Sequence, residues 1–370
     1  MLRALFVSAA LAAMPAWATE FVPATPAEAA AALTADDEFM RALTPSDLSV
    51  RLKKGSATVD ELRALYAAST RAWTEAEKAR LAASVARQRA GLDKIAKWLP
   101  PRVAFAKASA DVDGGLPHTR GATIVFGTAL PQKDEELDLV FLHELFHVLS
   151  RRNSARHDEI YGIIGFEPCR TVNLPQSVRE RMLTNPDAPL VQHAVPTGNP
   201  GEMLTPLLLT TPPRYTPDQP DFGDYIDLRF VLLKRSAAND CSAFAMGEKL
   251  AELDAKTAMP IIFTHAGRNT GYVFHPEELM ADNFWQLMMG VAGAPDPWVH
   301  QRLALWLGIA KPKTMSSGSS ISRSAGFAGA AAEDPLARLC ATKAPAQGAP
   351  LCRAIRYDGE HSVRPGISFR

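Results

Sequence analysis

Residues 143 to 147, His-Glu-Leu-Phe-His, constrain the fold of this chain more than any other stretch. On a helix, two histidines four residues apart lie on the same face, about one turn from each other. Their imidazoles can hold one zinc ion, and Glu144 between them can take a proton from a water on that ion. The pattern therefore predicts a helix that carries a metal site and a general base.

The flanking sequence predicts that this helix is buried. Three acidic residues at 134–136 precede the motif, where a helix N-terminus favours negative charge, and Arg151 and Arg152 lie in the last turn. The body of the helix between them is apolar on most sides, which is typical of a buried helix. Histidine and glutamate inside it need partners, because unpaired buried polar groups are costly. A metal would supply those partners; the alternative is a core helix whose histidines bond to the backbone.

A catalytic zinc site needs a third protein ligand and an open position. One extended form of the motif needs a glycine at position 150 and a histidine at 153, but the chain has Ser150 and Asn153. A second helix is predicted in segment 275–285, where Glu278 and Asp282 share a face. Glu278 can be the third ligand, and Asp282 can accept a hydrogen bond from the outer nitrogen of a metal-bound imidazole.

Three other residues are alternatives for the third ligand. Glu277 points about 100° away from Glu278 around the helix. His275 precedes the helix and is more typical of a cap or of an outer hydrogen-bond partner. His157, ten residues after His147, can approach the metal after a tight turn.

The two segments together resemble the gluzincin metallopeptidases, which pair H-E-x-x-H with a glutamate ligand in E-x-x-x-D on a later helix. Glu278-Leu-Met-Ala-Asp282 is similar to the E-x-x-A-D variant. The resemblance implies an α+β, zincin-like core with a helical N-terminal region, a buried motif helix beside a small sheet, and a second helix that bears the glutamate. It also implies one zinc ion on His143, His147 and Glu278, a hydrogen bond from His143 to Asp282, and a peptide or protein substrate. The gap between the motifs is longer than in gluzincins, so a large insertion is expected at about 154–270.

The resemblance extends to substrate binding. In gluzincins a strand before the motif helix is the sheet edge on which extended peptides lie, which implies β-augmentation at Thr123–Val125. The alternative is an ordinary core strand. An oxyanion also needs a donor, and Tyr272, His193 and His265 are candidates. Of the three, Tyr272 is preferred because it lies just before the helix of the third ligand. For each of them the alternative is ordinary packing or surface hydrogen bonding.

Periodicity and turn residues predict the other elements. The predicted helices are 36–43, 59–68, 74–98, 243–255 and 296–309. The predicted strands are 103–107, 122–126, 203–210, 226–233 and 261–264.

The first 18 residues are typical of a secretory signal peptide, with Arg3, an apolar run over 4–13 and a cleavage pattern that ends at Ala18. The mature protein is therefore expected to be exported to a periplasm or the exterior, in a bacterium. No other segment supplies the about 20 apolar residues of a membrane span. The predicted organisation is a signal peptide 1–18, a loose segment 19–32, a catalytic domain 33–310, a flexible linker 311–334 and a tail 335–370.

Four cysteines in an exported chain predict disulfides. Three connectivities are open, and pairs between sequence neighbours, Cys169–Cys241 and Cys340–Cys352, are preferred. Lys plus Arg and Asp plus Glu both number 40, and no basic stripe predicts a nucleic-acid partner.

Two classes of function follow. The first is a zinc-dependent peptidase, an endopeptidase of the cell envelope with Glu144 as general base. The second is a non-catalytic, zinc-containing envelope protein that binds a peptide or a cell-wall component. The presence of Glu144 favours the enzyme, because a binding protein needs no base. Hydrolysis of a non-protein amide is a third option.

Overall fold

The computed structural model describes residues 19–310, apart from residues 128 and 248. Four predictions lie outside the described residues: the signal peptide 1–18, the linker 311–334, the tail 335–370 and the pair Cys340–Cys352.

The described residues form a mixed α+β fold, the class expected from the sequence. Its α-helices are α1 Pro26–Thr34, α2 Glu38–Ala42, α3 Pro45–Arg51, α4 Val59–Ala68, α5 Glu75–Ile95, α6 Asp134–Arg152, α7 His157–Gly162, α8 Gln176–Arg179, α9 Ala255–Ala266, α10 Pro276–Met288 and α11 Trp298–Leu307. Its strands are β1 Glu20–Pro23, β2 Thr70–Arg71, β3 Arg102–Ala108, β4 His118–Arg120, β5 Thr123–Phe126, β6 Glu167–Pro168, β7 Val172–Asn173, β8 His193–Pro196, β9 Glu202–Thr210, β10 Ile226–Arg235, β11 Cys241–Ala243, β12 Ala245–Met246, β13 Lys249–Leu250 and β14 Glu252–Leu253.

The first sheet separates two apolar layers. Its strands run in the order β1-β3-β5-β4, with β1, β3 and β5 parallel and β4 antiparallel at the edge. Alternate residues of a strand point to opposite faces. Phe105 of β3 therefore packs on Phe141 of α6, with ring centroids 5.6 Å apart, whereas Ala104 and Ala106 pack in the other layer with α1 and α4. The small alanines let α1 approach the sheet closely.

The motif helix α6 lies at the centre of the larger layer. Every residue from Leu137 to Ser150 is buried. The helix packs against α5, β4, β5 and α10. Burying a side chain such as Leu142 or Phe146 completely contributes about 1.5–3 kcal/mol of transfer free energy. This packing holds the backbone of α6 in one position, and therefore the direction of its polar side chains.

The predicted insertion contains a second sheet, with strand order β6-β8-β9-β10-β11-β7 and β14 paired with β10. Strands β9 and β10 match the predicted 203–210 and 226–233 closely and pair antiparallel along their length. The disulfide Cys169–Cys241 confirms one preferred pair, and both cysteines are fully buried.

Most predicted helices form where the pattern placed them. Helix α4 has the predicted bounds, and α5 is followed by a 3₁₀ turn at Ala96–Trp98 that ends at the predicted residue. The prediction for 36–43 corresponds to the shorter α2, which Asp37 caps by accepting from Met40 N. Helix α3 was not predicted, although Thr44 and Pro45 supply its cap and first residue.

The segment 19–32 is not loose, as the sequence suggested. Strand β1 pairs with β3, and α1 begins with a capping box in which Thr25 and Glu28 bond to each other's backbone N–H groups. Composition misled here because an alanine-rich segment can still pack. Ala29 and Leu33 of α1 are fully buried.

Two predictions after β10 are wrong. Residues 243–255 form short strands rather than a helix, with Gly247 at φ 63° in the turn between β12 and β13. The helix begins later, because Asp254 caps it by accepting from Thr257 N. The predicted strand 261–264 therefore lies inside α9, where Ile262 is fully buried. A short apolar run has the same composition in a buried strand and a buried helix.

Strand β5 is not the sheet edge that β-augmentation at Thr123–Val125 requires. It lies between β3 and β4, with Thr119 of β4 opposite Ile124. The alternative, an ordinary core strand, is correct. The edge of this sheet beside α6 belongs to β4.

No helix among the residues that the structure describes is long and apolar enough to cross a bilayer.

Candidate metal centre

Helices α6 and α10 bring the predicted ligands together. His143, His147 and Glu278 are each no more than 2 % exposed. Each offers one ligand atom, and these atoms lie within 4.8 Å of one another. The Nε2 atoms of His143 and His147 lie 3.1 and 3.6 Å from the same oxygen, Oε2 of Glu278. Two neutral imidazole nitrogens and a carboxylate that converge in this way can hold a divalent cation.

The outer nitrogens of both imidazoles are held by carboxylates of α10. His143 donates from Nδ1 to Asp282 over 3.0 Å, as expected from the resemblance. His147 donates from Nδ1 to Glu277 over 2.9 Å. These bonds fix a proton on Nδ1 of each ring and turn each Nε2 towards Glu278, where a metal ion would take the place of a proton on that nitrogen.

Glu277, an alternative for the third ligand, instead holds the outer nitrogen of His147. Its second oxygen accepts from Ser150 over 2.7 Å and from Tyr161 over 2.6 Å. His157, another alternative, lies 3.1 Å from the Ser150 hydroxyl and so stands behind Glu277 rather than at the ligand cluster. Sequence reasoning missed Ser150 and Tyr161. Only Ser150 carried a signal, since it lies three residues after His147 on α6.

His275 is a cap, one of the two roles considered for it. Its Nδ1 accepts from the Glu277 backbone N–H over 3.1 Å, and its Nε2 lies 3.2 Å from Leu190 O. The first bond needs a neutral ring. Burial lowers the pKa of His275 to about 4. The nearby carboxylates of Glu277 and Glu278 raise this pKa, but burial has the larger effect. The ring therefore stays neutral near pH 7 and helps to hold α10 in place.

Glu144 lies in the cluster without a hydrogen-bond partner for Oε2 among the described residues, and it is 1 % exposed. Burial raises its pKa to about 8, and the charges of Asp187 and Glu278 add to this effect. His147 and His143 oppose it. A carboxylate with a raised pKa is a better proton acceptor, which suits a general base.

The charges around the cluster also fit a cation. Within the part of the chain that the structure describes, five acidic side chains surround the two imidazoles: Glu144, Asp187, Glu277, Glu278 and Asp282. Burial lowers the pKa of His143, but hydrogen bonds to Asp282 and Glu278 outweigh burial and raise it to about 10. His147 Nε2 is buried and has no hydrogen-bond partner among the described residues. A divalent cation would satisfy this nitrogen and balance the excess of acidic groups.

Two residues from a loop of the insertion reach the same cluster. Asn185 donates from Nδ2 to Glu278 Oε1 over 2.6 Å, which orients the other carboxylate oxygen towards the imidazoles. Asp187, Glu144 and His147 form a second group whose ligand atoms lie within 4.8 Å of one another. In the sequence, Asn185-Pro186-Asp187 has only the composition of a turn, and nothing local links it to α6.

One of the three candidate oxyanion donors lies at the centre. Tyr272 lines the adjoining cavity, and its ring centroid is 5.9 Å from that of His143. Burial raises the pKa of Tyr272 well above its usual value, so its hydroxyl keeps its proton. His193 bonds to Asp158 over 2.9 Å and His265 to Pro196 O over 2.9 Å. Neither histidine lines that cavity.

The cavity beside Glu144 has mainly apolar walls, formed by residues such as Leu116, Pro117, Leu208 and Phe274. Arg51 also lines it. Its guanidinium is already paired with Asp113 and Asp47 and donates to Thr184 O over 2.6 Å. The positive charge of Arg51 is therefore balanced within the protein, and the walls mainly offer an apolar surface.

Comparisons with protein-family models, with curated proteins and with solved structures found no match to this chain. The likeness to gluzincins therefore rests on the two motifs and on the contacts between α6 and α10.

Removal of the Asp282 carboxylate should weaken metal binding without unfolding the protein. Asp282→Ala deprives His143 of its Nδ1 partner, so we expect metal affinity to fall by about 10- to 100-fold. A competition titration against a chromophoric chelator measures it. Trp285→Phe is the matched control, because it removes another hydrogen bond to Asp282 Oδ1, 3.0 Å long, and leaves His143 in place. Equal affinities in Asp282→Ala and wild type would contradict the role.

His275 should make the metal-free protein less stable in mild acid. The folded pKa of about 4 lies below the unfolded value of 6.5, so the unfolded chain binds more protons between them. The contribution is complete above pH 6.5 and is lost as the pH falls towards 4. Between about pH 7 and about pH 5 this loss is about 2 kcal/mol.

Urea unfolding at both pH values tests this prediction. His275→Asn should lose less stability on acidification than wild type does. His118, whose pKa burial also lowers to about 4, remains in that variant, and His118→Asn gives its separate share. An unchanged pH dependence in His275→Asn would show that the cap does not titrate as described.

Proposed function

We propose that this protein is a zinc-dependent metallopeptidase that hydrolyses peptide bonds in proteins or peptides outside the cytoplasm. One observation carries the proposal. The Nε2 atoms of His143 and His147 face Glu278, and the buried carboxylate of Glu144 lies beside them with one oxygen unpartnered among the described residues. A metal-binding protein without catalysis needs the first three residues but has no use for the fourth.

The donor set favours zinc. Two imidazoles and one carboxylate are a common ligand set of catalytic zinc sites, which keep a further position open. Hard cations such as Mg²⁺ and Ca²⁺ prefer oxygen ligands. The carboxylates of Asp282 and Glu277 on the outer nitrogens make both imidazoles more basic, which strengthens their bonds to zinc.

Different residues of the chain would carry out different steps of the hydrolysis. A bound zinc ion would act as a Lewis acid that polarises the substrate carbonyl and lowers the pKa of a bound water. Glu144 accepts the proton of the attacking water, and it returns this proton to the nitrogen of the leaving amine as the C–N bond breaks. Tyr272, which keeps its proton, is proposed to donate a hydrogen bond to the developing oxyanion.

The compartment and the substrate belong to the same proposal. A buried disulfide such as Cys169–Cys241 is typical of proteins in oxidising compartments, which supports export. The apolar walls at Leu116, Leu208 and Phe274 favour substrates with an apolar side chain near the scissile bond. Endopeptidase action is the form proposed from the sequence.

A cleavage assay on an unbiased peptide library tests the proposal. Zinc-loaded protein should yield products, chelator-treated protein should not, and added zinc should restore cleavage. A panel of non-protein amides run in parallel tests the third option. If protein that holds one zinc per chain cleaves neither peptides nor amides, the enzyme proposal fails and a zinc-containing binding protein becomes the better account.

A further inference from the structure

The loop 185–189 lies over the metal centre between two anchored ends. Before it, Thr184 is buried, donates from its backbone N–H to Asp47 over 2.9 Å and accepts from Arg51. After it, Leu190 O lies 3.2 Å from His275 Nε2. The loop itself is only half-buried. Its ends are therefore held to the protein while its middle reaches into the centre.

Besides the Asn185 amide, the Asp187 carboxylate is the part of this loop that enters the centre. One of its oxygens accepts from the Thr119 N–H over 2.7 Å and from the Thr119 hydroxyl over 2.6 Å. A ligand atom of Asp187 also lies within 4.8 Å of one on Glu144 and one on His147. His147 belongs to both groups that could hold a metal ion.

Two neighbours of Asp187 indicate that a ligand belongs between these side chains. His147 Nε2 and Glu144 Oε2 are buried and have no hydrogen-bond partner among the described residues. Arg151 reaches the loop only at the carbonyls of Pro186 and Asp187, over 3.3 and 3.5 Å, and forms no ion pair with the Asp187 carboxylate. The Asp187 carboxylate is the third acidic group here, beside those of Glu144 and Glu278, and a bound cation would stabilise it.

We propose that Asp187 is a fourth metal ligand that closes the centre, on a loop that a substrate must displace. The inference rests on the proposed metal centre. The Asp187 ligand atom lies on the His147 side of the centre, because it groups with those of His147 and Glu144 and not with those of His143 and Glu278. Two imidazoles and Glu278 would leave one positive charge on a divalent ion, which the Asp187 carboxylate would neutralise from that side. This ligand occupies the position that a catalytic site otherwise leaves to water or substrate.

The same loop also covers the edge of the first sheet. Thr119 belongs to the edge strand β4, and its N–H donates to Asp187 instead of to another strand. An extended peptide that joined this edge would need that N–H. Peptide and loop therefore compete for one backbone donor as well as for the metal, so binding of a peptide along β4 would release Asp187.

The test uses the cobalt-loaded full-length protein and acetohydroxamic acid, a small metal-binding probe. Asp187→Ala should change the visible cobalt spectrum and bind the probe at least about tenfold more tightly, because no internal ligand competes. Asp187→Asn keeps acceptors for Thr119 but loses the charge, and should lie between the two. Asp218→Ala is the control, since it removes an exposed aspartate elsewhere in the insertion.

The outcomes separate the two proposals. If wild type holds one cobalt per chain and Asp187→Ala changes neither the spectrum nor the affinity for acetohydroxamic acid, Asp187 is not a ligand and the metal centre stands. If wild type holds no cobalt or zinc, the metal centre fails, and this inference fails with it.

Discussion

Replacement of Glu144 by glutamine is expected to lower peptide hydrolysis at least about a hundredfold while the zinc content stays unchanged. Glutamine keeps the size of the side chain but cannot accept the proton of the attacking water. Glu144 bonds to neither imidazole of the cluster, so its loss should leave the ligands in place. Hydrolysis rates on a substrate from the peptide library, together with elemental analysis, measure both effects.

Glu135→Gln provides the matched control for this prediction. It makes the same chemical change on the same helix, but at an exposed residue near the N-terminus of α6. Its hydrolysis rate should remain close to that of wild type. Equal rates in Glu144→Gln and wild type would rule out Glu144 as the base and require another proton acceptor at the centre.

Replacement of Glu278 by alanine should cause the largest loss of metal. It removes the carboxylate whose Oε2 lies 3.1 and 3.6 Å from the two imidazole Nε2 atoms, so we expect affinity to fall by more than the about 10- to 100-fold typical of residues that only support a ligand. Elemental analysis after dialysis and a chelator competition titration measure the loss. Hydrolysis should fall with the zinc content.

Glu277→Ala is the sharpest comparison, because Glu277 is the neighbouring residue and equally buried. It bonds to the outer nitrogen of His147, so its loss should weaken affinity only by the smaller factor. The reverse order, with Glu277→Ala losing the metal and Glu278→Ala keeping it, would exchange the two roles. Circular dichroism of both variants checks that α10 remains folded.

The predictions for Glu144, Glu278 and Asp187 together distinguish an enzyme from a binding protein. A binding protein would lose its metal in Glu278→Ala but would be indifferent to Glu144→Gln. A closed centre would respond to Asp187→Ala through its affinity for a small probe. The three substitutions therefore report on the ligand, the base and the loop separately, since each removes a side chain with a different proposed role.

The amino-acid sequence by itself determined the features that depend on neighbours along the chain. The spacing of His143 and His147, and that of Glu278 and Asp282, places each pair on one helical face wherever the helices pack. Periodicity likewise placed α4 and α5, and the motif with its flanking charges placed α6. These signals are local because helical hydrogen bonds join residues only four apart.

Tertiary structure alone decided which distant groups meet these faces. Nothing near Glu277 in sequence indicates that it would hold His147, or that Asp187 would reach the same centre from a proline-containing turn. The short strands after β10 and the inner position of β5 were decided in the same way. A strand satisfies its backbone hydrogen bonds with partners remote in sequence, and a loop is positioned by what its ends are anchored to, so neither leaves a local pattern.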